Sequence, residues 1–352
     1  MKDFRNYSLT QHNTFGISAG CSRFIEFSTV AEAKETVKNL KQTDMPLLII
    51  GGGSNLLLTK DFQGTVLHSA IKGISTTFID GGVLVRVASG EVWDDTVAYC
   101  VQNGWYGMEN LSHILGEVGA TAVQNIGAYG TEVKDIIYKV EAIEIATGKS
   151  CFFTNEECEY SYRQSRFKKD WKDKYIITHV TYRLSTIFNS HLEYGNIRKE
   201  LDKEGIEHPT AMQLRNAIIR IREDKLPDPK IEGNAGSFFM NPVVSMEKFN
   251  ELLAEYPEMP HYEVDEDHEK IPAGWKPIVG TPTDVPVPRK VSLISIPSSG
   301  LHYIMFTSGC MSMPNLFCTS LRIWSQRQTM SLPVAPPLLT NTRACLECTP
   351  AL

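Results

Sequence analysis

Ser237 lies between small residues and aromatic ones, an arrangement that suits a hydroxyl group taking part in proton transfer. Residues 233–242 read Gly-Asn-Ala-Gly-Ser-Phe-Phe-Met-Asn-Pro. Residues with little or no side chain let the backbone approach a flat ligand closely, and the two aromatic residues would anchor the segment that holds the serine. A hydroxyl fixed at such a point can pass a proton to a reacting carbon. By itself, the segment is equally typical of a glycine-rich turn that enters an edge strand.

A glycine loop that follows an apolar run is the second candidate site. The loop reads Gly51-Gly52-Gly53-Ser54-Asn55-Leu56, and the run at 46–50 before it is predicted to be a strand buried on both faces. Successive N–H groups in a loop without side chains can converge on a phosphate. The spacing fits neither the dinucleotide fingerprint nor the P-loop, so neither standard nucleotide fold is indicated.

The third candidate is residues 116–130, which are rich in glycine and alanine. Such a composition would make a poor solvent-exposed helix, and the close approach of the backbone to a large planar ligand explains it. Gln124 and Asn125 could then offer amide donors and acceptors to the edge of a heterocycle. The alternative interpretation is a loosely packed loop.

An arginine flanked by tyrosines is the fourth candidate. The segment reads Tyr160-Ser161-Tyr162-Arg163-Gln164-Ser165. A rigidly held guanidinium fork suits a carboxylate, whereas the alternative interpretation is a solvated basic loop.

The elements that must position these residues follow from hydrophobic spacing and capping residues. Thr29 and Thr210 are predicted to cap helices, and a double-proline segment at 225–229 indicates a domain boundary. The predicted elements are a strand–helix–strand unit over 23–61, strands and then a helix over 65–105, strands at 140–145 and 175–182, and helices over 210–222 and 245–256.

The composition predicts a globular protein of two or three domains. The chain has 352 residues, of which 42% are hydrophobic and 22% charged, and its formal net charge is −6. No Lys/Arg cluster indicates a nucleic-acid partner, and neither a secretory signal nor a membrane-spanning run is visible. We therefore expect a cytoplasmic protein without nucleic-acid or membrane partners, and no metal site. The cysteines expected to be reduced, mostly buried thiols are Cys21, Cys100, Cys151 and Cys158.

Together these segments resemble the UDP-N-acetylenolpyruvoylglucosamine reductases, the MurB flavoenzymes of peptidoglycan synthesis. The matching motifs occur in family order over residues 1–275, and Tyr194-Gly195 resembles the tyrosine-bearing loop of the longer family type. The motifs are Asn13-Thr14-Phe15-Gly16, Gly51–Leu57, Gln124–Gly130, Tyr162-Arg163-Gln164-Ser165, Lys225–Pro229 and Gly233–Pro242.

The resemblance implies an α+β protein with the FAD-binding fold of the vanillyl-alcohol-oxidase type. Residues 1–68 and 69–212 would form the two FAD-binding subdomains, and residues 213–275 a substrate-binding domain of α+β type. The family works on a small nucleotide-sugar substrate, and a monomer is favoured.

The resemblance also implies the chemistry. NADPH would reduce noncovalently bound FAD, and the enolpyruvyl nucleotide sugar would then take hydride from the flavin. Ser237 would act as general acid and Arg163 would bind the enolpyruvyl carboxylate, while Tyr194, Lys225 and Asn241 would hold the nucleotide sugar. The residues expected to bind the cofactor are Gly51, Gly52, Gly53, Ser54, Asn55, Leu56, Gly116, Gly119, Ala120, Gln124, Asn125, Ile126, Gly127, Ala128, Tyr129 and Arg222.

Residues 276–352 depart from the family. Ten of the 18 prolines and four of the eight cysteines lie there, and charged residues become rare. The family carries a C-terminal glutamate that completes the active site, but no carboxylate of this segment has the surrounding pattern. We interpret the segment as the product of a translational frameshift after Trp275 and expect it to be largely disordered or mispacked. The alternative is a genuinely divergent C-terminal segment.

Two other functions stay open on the sequence alone. The first is a catalytically impaired binder of flavin or nucleotide sugar, because the C-terminal active-site segment is missing. The second is another flavin oxidase of the same fold, although such a protein would lack the paired segments at 225–229 and 233–242.

Overall fold

The N-terminal part of the chain forms a four-stranded sheet flanked by a helix. The computed structural model describes residues 1–236 and 240–273, together with the backbone of three strands at 289–295, 302–305 and 346–348. The first sheet has the strand order β1-β2-β4-β3; β1 is antiparallel to β2, whereas β2 and β3 both run parallel to β4. Its elements are β1 (Lys2–Ser8), β2 (Gly20–Phe27), α1 (Val30–Asn39), β3 (Leu47–Ile50) and β4 (Phe62–Ser69).

The predicted strand–helix–strand unit is confirmed, with one correction. Thr29 caps α1, because its side chain accepts a hydrogen bond from the amide of Glu32. The sequence predicts that β3 is buried on both faces. In the structure β3 lies at the edge of the sheet, and only its alternate residues Leu48 and Ile50 are buried. An edge strand has one neighbour, so its other side chains are less covered.

The second part is a five-stranded antiparallel sheet with the order β10-β9-β11-β6-β5. Two helices pack on it around a core that contains Trp93, Val97 and Tyr182, all fully buried. The elements of this part are β5 (Ile74–Ile79), β6 (Gly82–Ala88), α2 (Trp93–Gln102), α3 (Val118–Gln124), β7 (Gly127–Ala128), β8 (Thr131–Glu132), β9 (Ile137–Glu144), β10 (Ser150–Thr154) and β11 (Tyr175–Ser185).

A pair of helices and a small sheet follow the second part of the chain. The predicted cap is confirmed, because the side chain of Thr210 accepts a hydrogen bond from the amide of Gln213. The small sheet has the order β12-β14-β13 and is covered by a helix whose residues Phe249 and Leu252 are buried. The elements are α4 (Ile197–Asp202), α5 (Ala211–Glu223), β12 (Val243–Ser245), α6 (Met246–Glu255), β13 (Tyr262–Asp265) and β14 (His268–Lys270).

The last three strands form a sheet of their own. They are β15 (Arg289–Ser295), β16 (His302–Met305) and β17 (Leu346–Cys348), in the order β16-β15-β17. The rest of the segment 276–352 lies outside the described residues, so the frameshift interpretation stays a prediction.

The four cysteines within residues 1–236 match the prediction of reduced, mostly buried thiols. Cys21, Cys100 and Cys158 are buried and Cys151 is partly buried, and all four are free thiols. Burial raises the pKa of Cys21 to about 11, which suits an unreactive thiol. No helix in the described part of the chain is long and apolar enough to cross a bilayer.

A buried ion pair joins α5 to α2. Arg215 in α5 donates to both carboxylate oxygens of Asp94, at 2.6 and 2.9 Å, and Arg215 is only 7% exposed. Burial raises the pKa of Asp94, but Arg215 and the amide of His113 more than offset it, so the pKa lies below its usual value. The pair fixes the helix that ends near Arg222.

We predict that Arg215→Met lowers the free energy of unfolding by about 3 kcal/mol, because the carboxylate of Asp94 then loses its charged partner in a largely buried site. The matched control is Arg183→Met at an exposed position of β11, where the change should stay within about 0.5 kcal/mol. Denaturant unfolding of both variants measures the difference. Equal stability of the two would contradict this role for the pair.

Candidate active site

The loop after β3 offers its backbone amides to an anion. Gly52, Gly53 and Ser54 lie there, and none of their amides donates to an acceptor within residues 1–236 or 240–273. The Ser54 hydroxyl donates to the carbonyl of Leu115 at 2.9 Å, which ties the loop to the segment before α3. Successive amides of this kind form a concave site for phosphate, so the geometry suits the predicted phosphate loop.

Thr14 lies between this loop and the segment that leads to Ser237. Its amide donates to the carbonyl of Gly53 at 3.3 Å, and its carbonyl accepts from the amide of Asn234 at 3.0 Å. The Thr14 hydroxyl is buried and has no hydrogen-bond partner in the described part of the chain. A buried hydroxyl without a partner beside a glycine loop is the kind of group that a polar cofactor satisfies. Sequence reasoning used Thr14 only as part of a motif.

The segment before Ser237 is held by Asn234, which is fully buried. The Asn234 side chain donates to the carbonyls of Pro227 and Glu232, at 2.9 and 2.8 Å, and accepts from the amide of Gly236 at 2.9 Å. Ser237 itself lies outside the described residues. Its assigned role as general acid therefore stays a prediction.

The second small-residue segment packs against the first. A Cβ atom at Gly51 would lie 3.3 Å from the Cβ of Ala120, and one at Gly52 would lie 3.4 Å from the Cα of Gly116. Gly119 packs on Ser89, because a Cβ atom at Gly119 would lie 2.8 Å from the Cβ of Ser89. Residues 118–124 form α3 rather than a loosely packed loop. The small residues at 116–120 allow this segment and the loop at 51–54 to pack closely.

Asn125 is bonded on all sides to its own chain. It is fully buried and ends α3 in the left-handed conformation, with φ +48°. Its side chain donates to the carbonyl of Ser161 at 2.8 Å and to Glu132 at 3.1 Å, and accepts from the amide of Lys134 at 3.1 Å. These contacts hold the side chain within the protein and order the loop. The assignment of Asn125 to cofactor binding stays a prediction.

Arg163 lies at the C-terminal end of α3. Its guanidinium donates to the carbonyl of Asn125 at 3.2 Å and also to the carbonyl of Gly127. Its own backbone is left-handed, with φ +55°, and its guanidinium carbon lies 5.4 Å from the ring centre of Tyr162. Two backbone acceptors thus fix the guanidinium, while its remaining N–H groups can meet a carboxylate. The solvated-loop interpretation is wrong, because Arg163 is partly buried and bonded.

A second arginine lies nearby, at the end of α5. Arg222 donates from Nε to the carbonyl of His113 at 2.9 Å. Burial lowers the pKa of Arg222, Tyr129 raises it, and Arg163 contributes a smaller lowering. Burial raises the pKa of Tyr129, while the charge of Arg222 acts in the opposite direction. Arg222 and Tyr129, both assigned to cofactor binding, are therefore neighbours.

Two of the candidate substrate residues, Tyr194 and Asn241, lie near Tyr162. Tyr194 stacks on Tyr262 with ring centres 4.8 Å apart, and burial is the main cause that raises the pKa of Tyr194. The Asn241 amide donates to the hydroxyl of Tyr162 at 3.2 Å. Tyr194 and Asn241 are thus brought towards Arg163, which is adjacent to Tyr162 in the chain.

Lys225 follows the end of α5 and contacts the neighbouring chain through its backbone. Its amide donates to the carbonyl of Arg222 at 3.1 Å, and its side chain is exposed. Lys270 was missed by sequence reasoning, although its ammonium lies 4.9 Å from the ring centre of Tyr162. A lone lysine in a three-residue strand carries no sequence signal of its own.

A buried histidine supports the two glycine segments. His68 Nε2 lies 3.1 Å from Glu117, and Nδ1 lies 3.0 Å from Glu26. Glu117 in turn lies beside Gly51. Burial lowers the pKa of His68, but the two carboxylates more than offset it, so its pKa lies above the usual value. Sequence reasoning missed this clamp, because its members are 42 and 49 positions apart.

Comparison with known proteins adds names to this geometry. A family model described as an FAD binding domain matches residues 22–152. UDP-N-acetylenolpyruvoylglucosamine reductase from Bacteroides fragilis is 53% identical over 273 residues, which cover 77% of this chain and 81% of the relative. The protein of the same name from Porphyromonas gingivalis is 48% identical over 272 residues, which cover 77% of this chain and 80% of the relative.

A solved structure of the same kind also aligns. It is the MurB protein of Thermus caldophilus, with 20% identity and a TM-score of 0.49, over 77% of this chain and 87% of that one. The domain match and the mixed helices and strands confirm the predicted α+β, FAD-binding fold, and FAD is the cofactor.

We predict that Gly53→Ala disrupts the glycine loop. Gly53 has φ +63°, and a Cβ there would lie 2.0 Å from the carbonyl oxygen of His12. The matched control is Gly81→Ala, since Gly81 has φ +71° with no atom within 4 Å and carries only the backbone penalty of about 1–2 kcal/mol. Thermal unfolding and the flavin absorbance of the purified proteins should show a larger loss for Gly53→Ala. Equal losses would show that the close contact is unimportant.

We predict that the His68 clamp stabilises the protein more at acidic than at alkaline pH. Since the folded pKa lies above the unfolded one, the contribution is fully present below about pH 6.5 and is lost as the pH rises through the folded pKa. The measurement is the difference in unfolding free energy between the wild type and His68→Gln across pH 6–9. A difference that does not change with pH would contradict the charged clamp.

Proposed function

The chain belongs to the UDP-N-acetylenolpyruvoylglucosamine reductase family, and we propose that it reduces UDP-N-acetylglucosamine enolpyruvate to UDP-N-acetylmuramate with FAD and NADPH, a step in peptidoglycan precursor synthesis. The observation that carries this proposal is Arg163, whose guanidinium two backbone carbonyls fix at the end of α3. An arginine held in this way is suited to a substrate carboxylate.

The residues present fit a dinucleotide cofactor. The amides of the loop at 52–54 and the buried hydroxyl of Thr14 offer donors at one place, and the small residues of α3 let the backbone approach. The absence of Cys and His from residues 51–57 and 116–130 supports noncovalent binding. Bound FAD would accept hydride from NADPH and deliver it to the enolpyruvyl alkene.

Arg163 would bind the enolpyruvyl carboxylate and stabilise the negative charge that develops on the substrate. A fixed positive charge in a partly buried site acts more strongly than one in water, because solvent screens it less. Since carbonyls already hold two sides of the guanidinium, little reorganisation would accompany the reaction.

Ser237 would protonate the reduced substrate. Serine is a poor acid in water, so this role needs a strongly basic carbon and a dry, ordered site. The contacts of Asn234 order the chain as far as Gly236, the residue that precedes Ser237 in the sequence. Tyr194, Lys225 and Asn241 would hold the nucleotide sugar.

We propose that the protein acts in the cytoplasm as a monomer on this small-molecule substrate. We also propose the domain division 1–68, 69–212 and 213–275. The first boundary is supported by β4, which ends at Ser69, and by β5, which begins the second sheet at Ile74.

The segment 276–352 is proposed to be foreign to the family. The aligned stretch of 273 residues leaves about a fifth of the chain unmatched, since it covers 77%. Sequencing the DNA around codon 275 tests this proposal. A second reading frame that restores the family's C-terminal glutamate would support it, and an intact single frame would overturn it.

The two half-reactions test the proposed function. In a chain whose C-terminal frame is restored, NADPH should bleach the yellow flavin and the enolpyruvyl substrate should restore the colour. Ser237→Ala should leave the first step nearly unchanged and slow the second by about two or more orders of magnitude, because only the second needs the proton donor. Stopped-flow absorbance measures both rates. Equal slowing of the two steps would make Ser237 a structural residue.

A further inference from the structure

Lys168 makes two contacts that join the candidate cofactor and substrate residues. Its ammonium donates to the side-chain oxygen of Gln124 at 2.7 Å and to the backbone carbonyl of Arg163 at 2.9 Å. Lys168 is partly buried, so these bonds are shielded from water. No motif in the sequence singles this lysine out.

The turn that carries Arg163 is mounted on the end of α3. The Ser165 hydroxyl donates to the carbonyl of Val123 at 2.7 Å, and the amides of Ser161 and Gln164 each donate to the other's carbonyl. The last carbonyls of a helix lack partners within it, and cationic side chains are suited to satisfy them. Ser165 fills this role at Val123, and Arg163 bonds the carbonyls of Asn125 and Gly127, which follow the helix. Lys168 holds the turn through the carbonyl of Arg163.

We propose that Lys168 is a positioning residue for Arg163 and thereby for recognition of the substrate carboxylate; this rests on the proposed function of Arg163. Arg163 is held at φ +55°, a conformation that non-glycine residues adopt only when their surroundings enforce it. The bond from Lys168 to the Arg163 carbonyl acts on this residue directly. The bond to Gln124 ties the turn to α3, on the cofactor side of the site.

Electrostatic repulsion between Lys168 and Arg163 predicts the opposite result for the removal of Lys168. Burial lowers the pKa of Lys168, and the neighbouring charge of Arg163 lowers it further, so the two cations repel each other. If repulsion were the main effect of Lys168, its removal would leave Arg163 better placed for a carboxylate. A positioning role predicts instead that removal weakens carboxylate binding.

The test compares Lys168→Met with Lys169→Met, a matched change at the exposed neighbouring position, in the full-length FAD-loaded protein. Calorimetry gives the dissociation constant for the enolpyruvyl nucleotide sugar and for UDP-N-acetylglucosamine, which lacks the carboxylate. Lys168→Met should weaken binding of the first ligand roughly 10- to 100-fold, as expected for loss of a charged hydrogen bond. It should change binding of the second less than about twofold. Lys169→Met should change neither.

Gln124→Leu is the second variant, because it breaks one bond of the ammonium without removing the lysine. It should produce a smaller loss of the same selectivity, and it keeps the test valid if Lys168→Met fails to fold. Unchanged binding, tighter binding or an equal loss for both ligands would overturn the positioning role. Failure of the wild type to prefer the carboxylate-bearing ligand would instead contradict the proposed function.

Discussion

The C-terminal end of α3 must find hydrogen-bond partners outside the helix, and the candidate site is organised around those partners. The carbonyls of Val123, Asn125 and Gly127 accept from Ser165 and Arg163. Val123 lies in the last turn of α3, whereas Asn125 and Gly127 follow the helix directly. A guanidinium bound to such acceptors gains a fixed place that a surface arginine lacks, and this suits an active-site charge.

Close approach of backbone segments is the second constraint. The loop at 51–54 lies against residues 116–120, and Thr14 joins the same loop to the chain before Ser237. Side chains larger than hydrogen at Gly53 or Gly119 would overlap neighbouring atoms. The glycines thus explain how segments that are far apart in the chain can pack closely together.

The charges around the site fall into two groups. Arg222 and Lys168 each lie close enough to Arg163 for its positive charge to lower their pKa. His68 forms the second group, between the carboxylates of Glu26 and Glu117. The first group suits an anionic substrate, whereas the second locks the segment before α3 to the first sheet.

The sequence by itself determined several of the helices and strands, the caps at Thr29 and Thr210, and the family. Thr29 and Thr210 accept hydrogen bonds from amides three residues later, so their capping role can be predicted from a short stretch of chain. The family can be predicted from the order of the motifs in the sequence. Tertiary structure decided the roles of Asn125, Lys168 and His68. Each bonds to groups that are distant in the chain, such as Lys168 to Gln124 across 44 positions, and those pairings depend on how helices and strands pack. Asn125 shows the difference most clearly, because nothing in the neighbouring sequence indicates that its side chain is fully buried and bonds to the carbonyl of Ser161.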